Sequence, residues 1–310
     1  MAETVDRAWM ERVFETTRNW GRWGQDDERG ALNLITDDKR AAAAALVREG
    51  VAVSCARDFA VEPALDNPHP ALHMMTQGGD DCTAETDGFE STTDFIGLAF
   101  HGMATTHLDA LCHVAVHGKL YNGVDVTEVK STGARRNDVM SARDGIVGRG
   151  VLLDIPRLRG IDWLEIDVSL DPEELEAAEA AQGVRVEAGD ILIVRKGRDA
   201  RRRALGPWLP TEGLPGLGPR CVPWLRERDV AVLGSDAVSD ALPGAAIEDW
   251  YVPIHQCCLA GMGVHLLDNL LVEELAAACA ARERWEFFFV ASPLRVQGGT
   301  GSPLNPVAIF

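Results

Sequence analysis

No apolar run in this 310-residue chain approaches the about 18 residues that a membrane-spanning helix needs. The opening stretch MAETVDRAWMERVFETTRNW is charged and has no apolar signal core, so the expectation is a cytoplasmic protein. Basic charge is in short supply. Lys and Arg number 30 against 48 Asp and Glu, a formal net charge of −18 that disfavours nucleic acid and anionic membranes as partners. The seven cysteines are odd in number and form no CxxC, and two of them, Cys257 and Cys258, are adjacent. They read as reduced thiols and exclude both a disulfide framework and a zinc knuckle. There is no GxGxxG, no phosphate loop and no GxSxG, which argues against nucleotide chemistry and against a serine nucleophile. No internal repeat and no Gly/Ser linker divides the chain.

What is present is an alternation of strand and helix patterns, expected to form a single α/β domain with mixed sheets. A helix is expected over Thr4 to Arg18, with Trp9, Val13 and Trp20 giving a partial apolar face. A Gly- and Asp-rich arm follows. Thr36 is a plausible N-cap for DDKRAAAAALVREG, and Gly50 a C-cap. Strand composition marks VAVSCARDFAV, GIVGRGVLLDIPR, EAGDILIVRKG, VAVLGSDAVSD and WEFFFVASPLRV. DPEELEAAEAAQG carries Pro172 in its first turn and Gly183 after its last, the punctuation of a helix. PRCVPWLRERD and VEELAAACAAR read as further helices, and IHQCCLAGMGVHLLDNL as a helix passing into a strand. The excursion from Pro63 to Glu85 is expected to have little regular structure. The segment DFIGLAFHGMATTHLDAL reads as one strand running into a turn.

Chemistry concentrates in FHGMATTHLDALCHVAVHG, which holds four histidines and one aspartate. In an extended strand, residues two apart face one side, about 6–7 Å from each other. His107 and Asp109 therefore point together, and an imidazole beside a carboxylate can grip a divalent cation. One turn after Asp109 would bring His113 over the same site, as a third ligand or as an acid/base group. His101 has the strand parity of His107 but lies six residues back, and reaches the site only if the strand bulges. The expectation is that it is not a ligand. His117 reads as a surface residue and Met103 as core. Further along, GSDAVSD sets Ser235, Asp236 and Asp240 after an apolar strand, where α/β proteins place site residues. Asp236 is a candidate acid/base partner of His113 and Ser235 a candidate substrate contact. A capped turn is the plainer alternative. His255, His265 and Asp268 follow in IHQ and GVHLLDN.

TTHLDALCH resembles the HxGTHxDxPxH signature of the metal-dependent cyclase family, which includes bacterial kynurenine formamidases and isatin hydrolases. WGQDDERGALNLIT is similar to the N-terminal arm of its longer members. EAGDILIVRKG, VLGSDAVSD and HQCCLAGMGVHLLDNL resemble, in the family's order, its pGDvvLlrTG, GxDxxSxD and HxxLLxxGvxxxENL segments. The resemblance implies a swivelling β/β/α fold over residues 36–310, with residues 1–35 forming a helix and arm packed on it, in a homodimer or homotetramer. It implies His107, Asp109, His255 and Asp268 as ligands of one divalent ion, Zn²⁺ or Mn²⁺, and His113 as the acid/base histidine. Asp268 fits the pattern only with a one-residue gap and a shorter side chain. At the position of the family's first metal histidine this chain has Met103, a soft, neutral thioether poorly suited to either ion. The site is then rebuilt around His101, weaker, or lost.

The expected activity is hydrolysis of a small, weakly charged amide, cyclic amide or lactone with an apolar or aromatic body. Trp20, Trp23 and the excursion are the candidate walls of its pocket, with core packing the alternative for the tryptophans. The rival is a metal-free homologue that binds a small molecule, or uses His113 with Asp236 for ring closure or isomerisation.

Overall fold

The computed structural model describes residues 4–81 and 90–310. The strands of three or more residues, in chain order, are β1 (Ala52–Ser54), β2 (Leu72–Gln77), β3 (Thr93–Gly97), β4 (His107–Asp109), β5 (Ile146–Asp154), β6 (Ile191–Arg195), β7 (Val232–Ser235), β8 (His265–Asp268), β9 (Glu286–Ala291), β10 (Gly301–Pro303) and β11 (Val307–Ile309). Nine of them form one mixed sheet in the order β1-β11-β9-β5-β6-β7-β8-β4-β10. The four central strands, β5 to β8, are parallel, and antiparallel strands extend both edges. This is the α/β architecture with mixed pairing that the sequence pattern implied.

Central strands buried on both faces read as unbroken runs of Val, Ile and Leu. In ILIVR the parity splits cleanly: Leu192 and Val194 enter one core, Ile191 and Ile193 the other. The first core lies under the helices α1 (Arg7–Thr17), α4 (Pro172–Gln182) and α6 (Cys221–Glu227) and the π-helical turn Gln256–Met262. The second lies under α8 (Glu273–Arg282), and α2 (Asp37–Ala44) packs against β5 and β9. The short helices α3 (Ile155–Arg159), α5 (Arg198–Leu205) and α7 (Pro253–His255) complete the connections between parallel strands. Each fully buried Leu or Phe in these layers contributes about 1.5–3 kcal/mol of hydrophobic stabilisation.

Helix ends follow local chemistry. Asp6 caps α1 by accepting the Trp9 amide, and Thr36 caps α2 by accepting the Lys39 amide. Pro172 opens α4, and Gly183 closes it in the left-handed region. The expected C-cap at Gly50 is corrected: α2 stops at Ala44, and Gly50 instead turns the chain against the Phe310 carbonyl. The N-terminal arm lies across the π turn through Ala31, whose amide donates to the Gly263 carbonyl at 2.7 Å. A Cβ at Gly263 would stand 2.6 Å from the Tyr121 ring and 2.8 Å from Gly30 Cα, so only glycine allows this crossing.

Two strand expectations change. VAVSCARDFAV keeps only three residues in a strand. The continuous strand expected before THLD is broken. Its first part, β3, pairs with β2 in a separate ribbon, and 98–106 is a bent loop. The excursion thus supplies one strand of that ribbon, while its residues 82–85 lie outside the described residues. The ribbon exposes Leu72, Met74, Met75, Phe95 and Ile96. Among the described residues, no helix is long and apolar enough to cross a membrane.

Candidate metal centre

Strand β4 is three residues long and sits between β8 and β10, antiparallel to both. His107 lies opposite Asp268, and Asp109 opposite Leu266. Directly opposed residues share a face of an antiparallel pair. This register therefore sets His107, Asp109 and Asp268 together on the face that carries Leu266, the face of the first core. All three are buried. His265, one residue off this parity, turns to the other face and meets the Ser141 hydroxyl at 3.3 Å. His255, at the end of α7, closes the group from above. Its Nε2 lies 3.2 Å from Asp268 Oδ2 and 3.6 Å from Asp109 Oδ2.

His107 and His255 each have their second nitrogen engaged. His107 Nδ1 donates to the Thr105 carbonyl at 2.9 Å. A carbonyl can only accept, so in the neutral ring Nε2 is left as a free lone pair, 3.3 Å from Asp109 Oδ1. His255 Nδ1 pairs with Asp240 Oδ2 at 2.5 Å. Asp240 is itself fixed by the amides of Ile254 and His255. Such outer partners orient metal-binding imidazoles. Electrostatics bind the cluster together. Burial would raise the Asp109 carboxyl, but the surrounding imidazoles outweigh it and hold it well below the usual carboxylate range. Burial likewise opposes charge on His255 and His107. The carboxylates outweigh it, raising His255 well above and His107 above the ordinary histidine value.

The loop 98–106 folds back instead of extending, which corrects the expectation that His101 lies out of reach. Asn269 is the clasp: its Nδ2 donates to the carbonyls of Gly102 at 2.6 Å and Thr105 at 3.2 Å. His101 Nδ1 then lies 2.9 Å from Asp109 Oδ1. The turn expected after Asp109 is present, with the His113 amide donating to the Ala110 carbonyl at 2.9 Å. It stacks the His113 ring on His101, centroids 3.9 Å apart and planes within 2°. His113 Nε2 is 3.9 Å from Asp109 Oδ1. Burial first, and the neighbouring imidazoles second, pull His113 down to about 4 against the attraction of Asp109, so its ring is neutral at pH 7.

Are these residues suited to a cation? Donor atoms about 2.1 Å from one ion stand about 3.0–3.4 Å apart. The carboxylate and imidazole atoms here stand 2.9, 3.2, 3.3 and 3.6 Å apart. Asp109 Oδ1 and His101 Nδ1 are both buried, yet among the described residues neither makes a hydrogen bond. A buried carboxylate oxygen left this way is costly unless something positive meets it. Two triads of donors, His107–Asp109–Asp268 and His101–Asp109–His113, share Asp109. The set fits a divalent cation.

Other expectations change. Both oxygens of Asp236 are taken by the backbone amides of Lys196, Gly197 and Arg198, at 3.0, 2.7 and 3.0 Å. Asp236 is a turn clamp, its two oxygens holding three backbone amides, and the aspartate bonded to the cluster through His255 is Asp240. Ser235 Oγ is buried against the Ala237 amide, while Ser239 Oγ reaches Asp268 Oδ1 at 3.5 Å. The Trp20 indole donates to the Ala260 carbonyl at 2.7 Å and meets Phe14 edge-on. Trp23 lies under Arg22. Both tryptophans pack on the core and do not wall the site. The cavity beside His101 has a volume of about 310 Å³ and apolar walls of Leu65, Pro68, Phe100, Met103, Leu209 and Pro210. Met103 is therefore neither core nor a strand neighbour of His107.

The family model "Cyclase: Putative cyclase" matches residues 63–240. A crystal structure described as that of a novel cyclase is 32% identical, with a TM-score of 0.84, covering 94% of this chain and 99% of its own. An isatin hydrolase bound to the product analogue thioisatinate is 20% identical with a TM-score of 0.59, over 84% of this chain and 93% of its own. Isatin hydrolase A from Labrenzia aggregata, bound to benzyl benzoate, is 22% identical with a TM-score of 0.60, over 86% and 94%. At such identities these hydrolases share the fold. No curated protein matches. The chain belongs to the cyclase family.

Proposed function

We propose that this member of the cyclase family is a metal-dependent hydrolase that opens or cleaves a small amide, cyclic amide or lactone. The observation that carries this reading is the buried Asp109 Oδ1, ringed by imidazole nitrogens and, among the described residues, without a hydrogen bond. His107, Asp109, His255 and Asp268 would hold one divalent cation, Zn²⁺ or Mn²⁺, since mixed nitrogen and oxygen donors suit both. When bound, such an ion supplies Lewis acidity, which polarises a carbonyl and acidifies water.

The chain's own residues do the rest. His113 faces the cluster from the open side with a neutral ring. It accepts a proton from the attacking water as the new C–O bond forms, and returns it to the leaving nitrogen or oxygen as the old bond breaks. The product is a carboxylate. The apolar cavity beside His101 receives an uncharged, apolar or aromatic body and excludes water around it. Against the alternative of a metal-free acid/base enzyme relying on His113 with Asp236 stands the use of that carboxylate in holding three backbone amides. Homodimers or homotetramers are part of the proposal, supported by the apolar ribbon exposed at Leu72, Met74, Met75, Phe95 and Ile96.

The test is metal content per chain after purification without chelators, followed by hydrolysis assays on formyl-anilides, cyclic imides, isatins and lactones with added Zn²⁺ or Mn²⁺. Cation uptake with turnover in one class is expected. Turnover that survives complete removal of the cation would count against it.

A further inference from the structure

We propose that His101, delivered by a loop and not by a strand, is a further cation ligand in this chain, and that Thr300 is the residue that positions it. The proposal rests on the reading of the cluster as a cation site. Three observations carry it. His101 Nδ1 is 2.9 Å from Asp109 Oδ1, nearer than the nitrogens of His107 at 3.3 Å and His113 at 3.9 Å, yet among the described residues neither His101 Nδ1 nor Asp109 Oδ1 is hydrogen-bonded. Two atoms that close, both buried and not aligned as donor and acceptor, are arranged to share a third partner.

The ring's orientation is also built. His101 Nε2 is 3.0 Å from the Thr300 hydroxyl. Thr300 in turn is tied to the end of β4, its carbonyl accepting the Ala110 amide at 3.0 Å. The ring lies between Phe100, 4.5 Å away by centroids, and the stacked face of His113. His101 thus repeats the construction of His107 and His255, with one nitrogen held by an outer partner and the other aimed at the carboxylates. Finally, the loop has a dedicated anchor. Asn269 follows Asp268 directly, adopts positive φ and binds the loop's backbone on both sides of Met103. Met103 lines the apolar cavity and a second cavity of about 280 Å³ beside Arg57 and Arg198. A histidine there would face the cavities, not the cluster.

The experiment is calorimetric titration of Mn²⁺ and of Zn²⁺ into the chelator-treated full chain, for wild type, His101→Ala, His101→Asn, Thr300→Val and Met103→His. The Co²⁺ absorption spectrum serves as a second readout of the coordination sphere, and the melting temperature of the cation-free chains reports folding. Wild type should bind. Both His101 variants should weaken binding at least about tenfold, change the Co²⁺ spectrum and melt near wild type. Thr300→Val should weaken binding by less, and Met103→His should leave it unchanged. Wild-type affinity and spectrum in both His101 variants would overturn the assignment while leaving the cation site itself standing. Tightening by Met103→His would likewise overturn it. A wild-type chain that binds neither ion would overturn the cation reading and this assignment together.

Discussion

The candidate centre has two walls of different construction. His107, Asp109 and Asp268 stand on paired strands, with His255 above them, and all are nearly inaccessible. His101 and His113 stand on a loop and a turn, with side chains 28% and 29% exposed. The strand wall gains its geometry from sheet register, which a one-residue slip would destroy. It holds charge in fixed positions. The loop wall is open to the cavity and to water, and residues that must meet substrate and exchange protons belong there.

Removing a donor from the strand wall should have the largest effect. Asp109→Ala is expected to abolish turnover and to weaken cation binding by more than the about 100-fold that the loss of an outer partner costs. Full cation occupancy in this variant would break the distinction between the walls. On the open wall, His113→Ala should lower kcat by about 10²- to 10⁴-fold and keep cation stoichiometry. Should cation and activity vanish together, His113 belongs with the ligands.

Two aspartates four residues apart sharpen the comparison further. Asp240→Asn should weaken cation binding about 10- to 100-fold through His255. Asp236→Ala should instead lower the melting temperature, since three buried amides lose their acceptor at about 1–3 kcal/mol each, and leave cation affinity of the folded chain intact. Reversal of those two phenotypes would mean the roles are misassigned.

The walls also differ in proton inventory. The neighbouring carboxylates raise His255 and His107 above the ordinary histidine value, so the cation-free strand wall holds its imidazole protons more tightly than free histidine does. A cation requires the unprotonated rings. Uptake should therefore release protons, and affinity should rise with pH. Calorimetry in two buffers of different ionisation heat would detect this, and equal apparent enthalpies in both would count against it. The smallest effect is expected from Trp20→Phe, which loses the bond to the Ala260 carbonyl. It should cost about 1 kcal/mol of stability, with KM unmoved.

Much of the strand wall was legible in the sequence. Unbroken Val/Ile/Leu runs mark the central strands, and Pro172 with Gly183 marks α4. Parity alone placed His107 beside Asp109. In the loop wall the turn that returns His113 was legible, but His101 was not, because it returns to the site only through Asn269, whose bond to Gly102 spans 167 residues. No local pattern encodes such a clasp. The roles of Asp236 and Asp240 were equally hidden: one stretch presents both, and only the turn after β6 claims the first. The excursion concealed a strand because the ribbon it joins is exposed on both faces and shows no inward and outward alternation.

The central claim is that these side chains form a cation site. Its most direct test is titration of Zn²⁺ and Mn²⁺ into the chelator-treated, folded wild-type chain. The account predicts one divalent ion per chain, with proton release on binding and loss of the signal in Asp109→Ala. A folded wild-type chain that takes up neither ion would contradict it.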